Sequence, residues 1–122
     1  LNGLGGRGLS RRHAEQSAAL INAAQPEYLA TLVVSLPAGE ARLRQRWPDW
    51  QALDIAGLLA EMEIFLSHLE LRRTVFRSDH ASNWLVLKGT LGADRERLLQ
   101  QLRAAIADPE GAPLRPAWAR GL

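Results

Sequence analysis

Arg77, His80, Ser82, Asn83 and Lys88 fall within one short stretch, "RSDHASNWLVLKGT" (77–90). Arg and Lys hold anions, His exchanges protons near neutral pH, and Ser and Asn both donate and accept hydrogen bonds. An apolar run, "WLVL", passes between them. The set suits the wall of a substrate pocket better than a complete catalytic constellation. Ser82 lacks the sharp strand-to-helix elbow of a serine nucleophile. Asp79 and His80, adjacent in sequence, would point apart in regular structure. The same residues read equally as a capped turn, with Asp79, Ser82 and Asn83 as local hydrogen-bonders.

A second candidate is "NGLGG" (2–6). Gly3, Gly5 and Gly6 expose main-chain N–H groups, so an anion or a ligand ring can approach closely. This is not the dinucleotide fingerprint: the third Gly is misplaced, and no acidic ribose partner lies about twenty residues on. A plain tight turn is the competing reading.

Elements must place these residues. Leu1–Gly5 reads as the end of a strand. Ser10 is a suitable N-cap for a helix over 11–25, with Ala14, Ala18, Leu20, Ile21 and Ala24 as its apolar stripe, and Pro26 stops it. "YLATLVVSL" (28–36) is a nearly continuous apolar run, as in a strand buried on both faces. Residues 40–47 suit a loop or a short surface helix. Asp54 caps a helix to Leu69, with Ile55, Leu58, Leu59, Met62, Phe65, Leu66 and Leu69 inward and Glu61, Glu63 and His68 mostly off the stripe. Strands are expected at 72–77 and at Trp84–Leu87. Asp94 opens a last helix reaching Ala107. Alternating strands and helices predict βαβ units and a parallel sheet. Residues 1–108 form the domain, and the proline-rich 109–122 is an extended tail in which Trp118 needs a docking place.

Composition narrows the chemistry. The chain has 122 residues, 47% of them hydrophobic and 23% charged, as in an ordinary globular domain. It has no cysteine, which excludes disulfides and thiolate-held clusters on this chain. His13, His68 and His80 match no zinc spacing. No apolar run approaches a membrane span, and the opening "LNGLGGRGL" has no signal-peptide pattern; a cytoplasmic location is expected. The net charge is +2, with Arg nearly the sole cation. The clusters at 11–13, 42–46 and 72–73 read as solvated helix faces paired with Glu15, Glu40 and Glu70.

"VFRSDHASNWLVLKGTLGADRERLL" (75–99) resembles the C-terminal region of a group of radical S-adenosylmethionine (radical SAM) proteins, Fe–S oxidoreductases of unassigned substrate. Their pattern is of the type F-R-S-N-H-A-S-N-Y-L-x-L-x-G-x-L, followed by a helix. "GLGGRGLSRRHAEQSAALINAAQPEYL" (3–29) is similar to the preceding part of that group, and "LVVSLPAG" (32–39) to its next strand. Departures are Asp79 for Asn, Trp84 for Tyr, and the missing Thr-Pro after Pro37. The resemblance implies the C-terminal half of a partial α/β barrel with helices on its outer face. It implies that Gly3, Leu4, Gly5 and Gly6 lie beside the adenine of S-adenosylmethionine, and that Arg77, His80, Ser82, Asn83 and Lys88 line the substrate side. The [4Fe–4S] cluster belongs to the other half of the barrel, since its cysteines are not here, and the chain alone is expected to be inactive. Its partners would be that missing half and, through an open strand edge, a second copy. The rival expectation is a stand-alone module whose Arg clusters hold an acidic partner or, less in keeping with the scattered aromatics, nucleic acid.

Overall fold

A computed structural model describes residues 1–121; Leu122, the last residue of the expected tail, lies outside them. Helix α1 (Gly6–Ala24) packs Ala14 and Ala18 against α3 (Ile55–His68), small side chains that let the two helices close on each other. Between them come β1 (Tyr28–Ala30) and the short α2 (Glu40–Arg46). After α3 follow β2 (Thr74–Ser78), β3 (Leu87–Leu91) and α4 (Arg95–Ala107), and a single 3-10 turn at Ala117–Ala119 lies in the tail.

Local rules explain several boundaries. The Asp54 carboxylate accepts the Gly57 N–H at 2.8 Å, a side-chain N-cap whose loss would cost about 1 kcal/mol. Helix α1 ends at Gln25, which turns left-handed ahead of Pro26. Its start differs from the expectation: it begins at Gly6, and Ser10 lies inside it. The reason is a carbonyl from elsewhere. Gln51 O accepts the Arg7 N–H at 2.9 Å, so this orphan donor of the first turn needs no side-chain cap. Asp94 does precede α4, but its carboxylate turns back to accept the Thr90 N–H at 2.7 Å.

The sheet is three-stranded, ordered β1-β2-β3. β1 and β2 are parallel, with Tyr28 opposite Val75 and Ala30 opposite Arg77. Asn2 adds a parallel bridge to Val33, so the expected first strand is reduced to one residue pair. β2 and β3 are antiparallel, which corrects the all-parallel expectation. The connection 79–86 is shorter than the dozen or so residues a parallel crossover needs. The last strand is also displaced: Trp84–Val86 are loop, and the ladder starts at Leu87.

One face of this sheet carries the core. Phe76, Leu87 and Leu91 join Leu59, Met62, Phe65 and Leu66 of α3 and Leu98, Leu99 and Leu102 of α4 in a single apolar cluster. The alternate positions point away from it. Tyr28 and Ala30 are exposed, Val75 and Arg77 half-buried, Lys88 and Thr90 exposed. Helices therefore cover one face, and the other presents Arg77 and Lys88 as opposed partners on adjacent strands.

Candidate functional site

Beyond Ala30 the regular ladder stops, yet residues 31–34 stay extended and bonded on both sides. Asn2 serves one side: its N–H donates to Leu32 O at 2.7 Å, and its C=O accepts from Val34 N at 2.9 Å. The loop after β2 serves the other. Arg77 O accepts the Thr31 N–H, Asn83 Nδ2 donates to Thr31 O at 2.8 Å, and Ser82 Oγ accepts the Val33 N–H at 3.1 Å. Ser82 and Asn83, 2% and 3% exposed, thus substitute for the missing strand residues.

His80 completes this arrangement. Its Nδ1 accepts the Ser82 N–H at 3.1 Å, so Nδ1 carries the lone pair, and the Ser82 hydroxyl 2.9 Å away donates to it. A Ser–His pair is the first half of a nucleophile–base unit. Here the Ser82 oxygen is buried and already accepts a main-chain N–H, so it has neither access to a substrate nor a free lone pair directed at one. The three residues lock the strand end. Asn83→Ala, which strands the Thr31 carbonyl, should cost about 1–3 kcal/mol, read as a lower urea midpoint with an unchanged m-value.

Arg77 and Lys88 behave differently. They stand together on the helix-free face, Lys88 Nζ 3.1 Å from Asp79 Oδ2 and the Arg77 guanidinium 2.8 Å from Phe76 O. The hydrogen bond from Lys88 holds the Asp79 carboxyl below the usual aspartate range, against a smaller opposing effect of burial. A depressed carboxyl stabilises the fold above its unfolded value, and that contribution disappears as pH falls through the folded value. Lys88→Met should move the Asp79 midpoint up toward the ordinary aspartate value, followed by NMR titration of its Cγ.

The glycine loop follows Asn2 on the other side of the 31–34 segment. Gly3, at φ +88°, is buried, and its N–H donates to Glu61 Oε1 at 2.7 Å. The Ser10 hydroxyl donates to Glu61 Oε2 at 2.6 Å, and His13 Nε2 lies 4.0 Å from Oε1. Glu61 is 2% exposed, which corrects its placement off the apolar stripe. A cavity of about 60 Å³ adjoins it, lined also by Asn2, His13, Ser17 and Thr31. The Trp50 indole covers the far end of the loop. Its Nε1 donates to Leu4 O at 3.0 Å, and a Cβ on Gly6 would meet its ring at 2.8 Å. Beside Gly3 a hollow of about 120 Å³ remains, lined by Val34, Leu36, Trp50, Leu53 and Leu58. A flat ring held at this loop has room there and not over Gly6.

The tail is held at Arg115 and Arg120, which donate to main-chain carbonyls of 79–83; Trp118, 88% exposed, finds no docking place. The Arg clusters behave as solvated faces in part: Arg11 pairs with Glu15 at 3.0 Å and Arg44 with Glu40 at 2.8 Å. No group of metal-ligating side chains is assembled among the described residues. No helix among them is long and apolar enough to cross a membrane.

The structure brings Arg77 and Lys88 together, separates them in role from His80, Ser82 and Asn83, and keeps Gly3–Gly6 as a distinct second locus. Sequence reasoning missed Glu61, Trp50, Arg115 and Arg120. A signal existed for Glu61, since its spacing from Leu58 and Phe65 places it on the buried stripe; the others are long-range partners with no local signature. Among the described residues, fold and sites together define an α/β domain of four α-helices and a small mixed sheet, with a basic cluster at the carboxyl end of its central strand. No family model, no curated protein and no solved structure matches the chain significantly.

Proposed function

We propose that this chain is the C-terminal part of a radical SAM Fe–S oxidoreductase, inactive by itself. Its strand order is the observation that carries the reading. Asn2, β1 and β2 are parallel and lie side by side in chain order, and the core helices pack on one face. In a doubly wound sheet the order reverses at a switch point and helices cover both faces. A barrel wall instead runs in one direction with helices outside. The uncovered face bearing Tyr28, Val75, Arg77 and Lys88 is then the barrel interior, and β3 is its antiparallel edge. The residue pattern of 75–99 supports the same assignment.

Each part has a role in that reading. The hollow beside Gly3 takes the adenine of S-adenosylmethionine, with Leu36, Leu53 and Trp50 as its apolar walls. Arg77 and Lys88 face the substrate. Ser82, Asn83 and His80 hold the strand ends that form the mouth. This chain contributes no thiolate, so the cluster is carried by the other half. The bound cofactor and cluster supply one-electron radical chemistry, and the residues here orient what reacts.

The test is a longer product of the same reading frame. Extended upstream, it should carry a C-x3-C-x2-C-type loop, show the absorbance of a reconstituted [4Fe–4S] cluster, and cleave S-adenosylmethionine reductively. Residues 1–122 alone should do neither. An upstream frame without that loop, or a stable cleaving cluster on the short chain, would end the proposal.

A further inference from the structure

Two arginines of the tail have an unusual set of partners. Arg115 Nη1 donates to His80 O at 2.7 Å and Asn83 O at 3.1 Å, and its Nη2 reaches Asp79 O at 3.4 Å. Arg120 donates through Nε at 3.2 Å and Nη2 at 2.9 Å to Ser82 O, with its guanidinium 4.0 Å from the Trp84 ring. Every one of these acceptors is a neutral carbonyl. Among the described residues neither guanidinium forms a salt bridge, although Arg7, Arg11, Arg44, Arg95, Arg97 and Arg103 all do. They are also close enough to repel: burial first, and then the charge of Arg115, lower the pKa of Arg120.

The neighbourhood deepens the imbalance. Asp79 is the carboxylate at this loop, and Lys88 already holds it at 3.1 Å, with Arg77 nearby. Positive charge therefore exceeds negative charge across the loop. Donors remain unspent. A guanidinium has five N–H groups, so Arg115 keeps its Nε and one Nη2 proton, and Arg120 keeps both protons of Nη1 and one of Nη2. Planar forks with spare donors suit a tetrahedral oxyanion, which also screens the repulsion between them. The place agrees with the chemistry, since the loop follows the carboxyl end of a parallel strand, where α/β folds bind ligands.

We propose that Arg115 and Arg120, with Lys88 at the rim, form a binding site for the phosphate group of a small molecule. The site stands on this chain alone and does not depend on the barrel reading. The tail is then a part of the site as well as a strap over the loop 79–83.

The experiment titrates inorganic phosphate into the ¹⁵N-labelled full chain, with chloride and malonate at matched ionic strength. Phosphate should give saturable shifts at the Arg115 and Arg120 Nε–H signals and at the amides of 79–84; chloride should not. Lys88→Gln leaves the carbonyl clamp intact and should weaken phosphate severalfold. Arg115→Lys with Arg120→Lys keeps charge but loses the forks, and should weaken it at least tenfold, with circular dichroism showing that the variant is folded. Should the double variant unfold, the Lys88→Gln result decides. Equal shifts in all three salts, tighter binding of malonate than phosphate, or a phosphate titration unmoved by Lys88→Gln would overturn the site. Because the readout needs no cluster, its failure leaves the radical SAM proposal standing.

Discussion

Glu61→Ala is expected to destabilise the chain by about 2–5 kcal/mol, the cost of leaving buried donors without an acceptor. Two donors lose their partner at once. The Gly3 N–H lies 2.7 Å from one carboxyl oxygen in a buried bond, and the Ser10 hydroxyl lies 2.6 Å from the other in a partly buried one. His13, 4.0 Å away, loses its acidic neighbour as well. The damage should be local before it is global. Amide exchange at Gly3 to Arg7 should accelerate more than exchange at Phe76, because Glu61 is a direct tie from the glycine loop and the start of α1 to α3. Glu61→Gln keeps one acceptor but sets an NH₂ group against the remaining donor, so its loss should fall between wild type and alanine. Urea unfolding of the three proteins measures the order. Equal stability of wild type and Glu61→Ala would show that the loop is held by other means.

Phe76→Ala should remove about 3–5 kcal/mol, the usual range for deleting a large buried aromatic side chain. Phe76 is 0% exposed, sits in the middle of the central strand, and packs in the cluster shared by α3 and α4. Its register partner on β3 is Gly89, which supplies no side chain to refill the space. Domains of this size commonly have about 5–15 kcal/mol in total, so the variant should be marginal at 37 °C and show a much reduced thermal midpoint. Phe76→Leu fills most of the same volume and should lose considerably less. A cooperative transition at the wild-type midpoint in Phe76→Ala would contradict the packing described.

The helices were readable because their information is local. Asp54 ahead of a 3–4 spaced apolar stripe, Pro26 after an Ala-rich stripe, and Leu98, Leu99 and Leu102 after Asp94 each act within a few residues. The failures involve partners far away in the chain. Helix α1 starts early because Gln51 supplies a carbonyl to Arg7. The third strand moves to Leu87 because its register is set by β2 across a short loop. Glu61 could be placed by spacing, but nothing near it in sequence names Gly3 and Ser10 as its donors. The polar residues at 77–88 posed the same difficulty. Their types suggested one site, while their division depends on which strand end lies opposite each of them.

Residue order by itself determined the α/β class, the main helices and the absence of thiolate chemistry on this chain, since periodicity, caps and composition act over short range or over none. Tertiary structure decided that Ser82 and Asn83 complete a strand, that Arg77 and Lys88 share an open face, and that Arg115 and Arg120 meet at a loop more than thirty residues before them. Those outcomes rest on hydrogen bonds and charges between segments distant in the chain, and only the folded backbone brings such groups within reach.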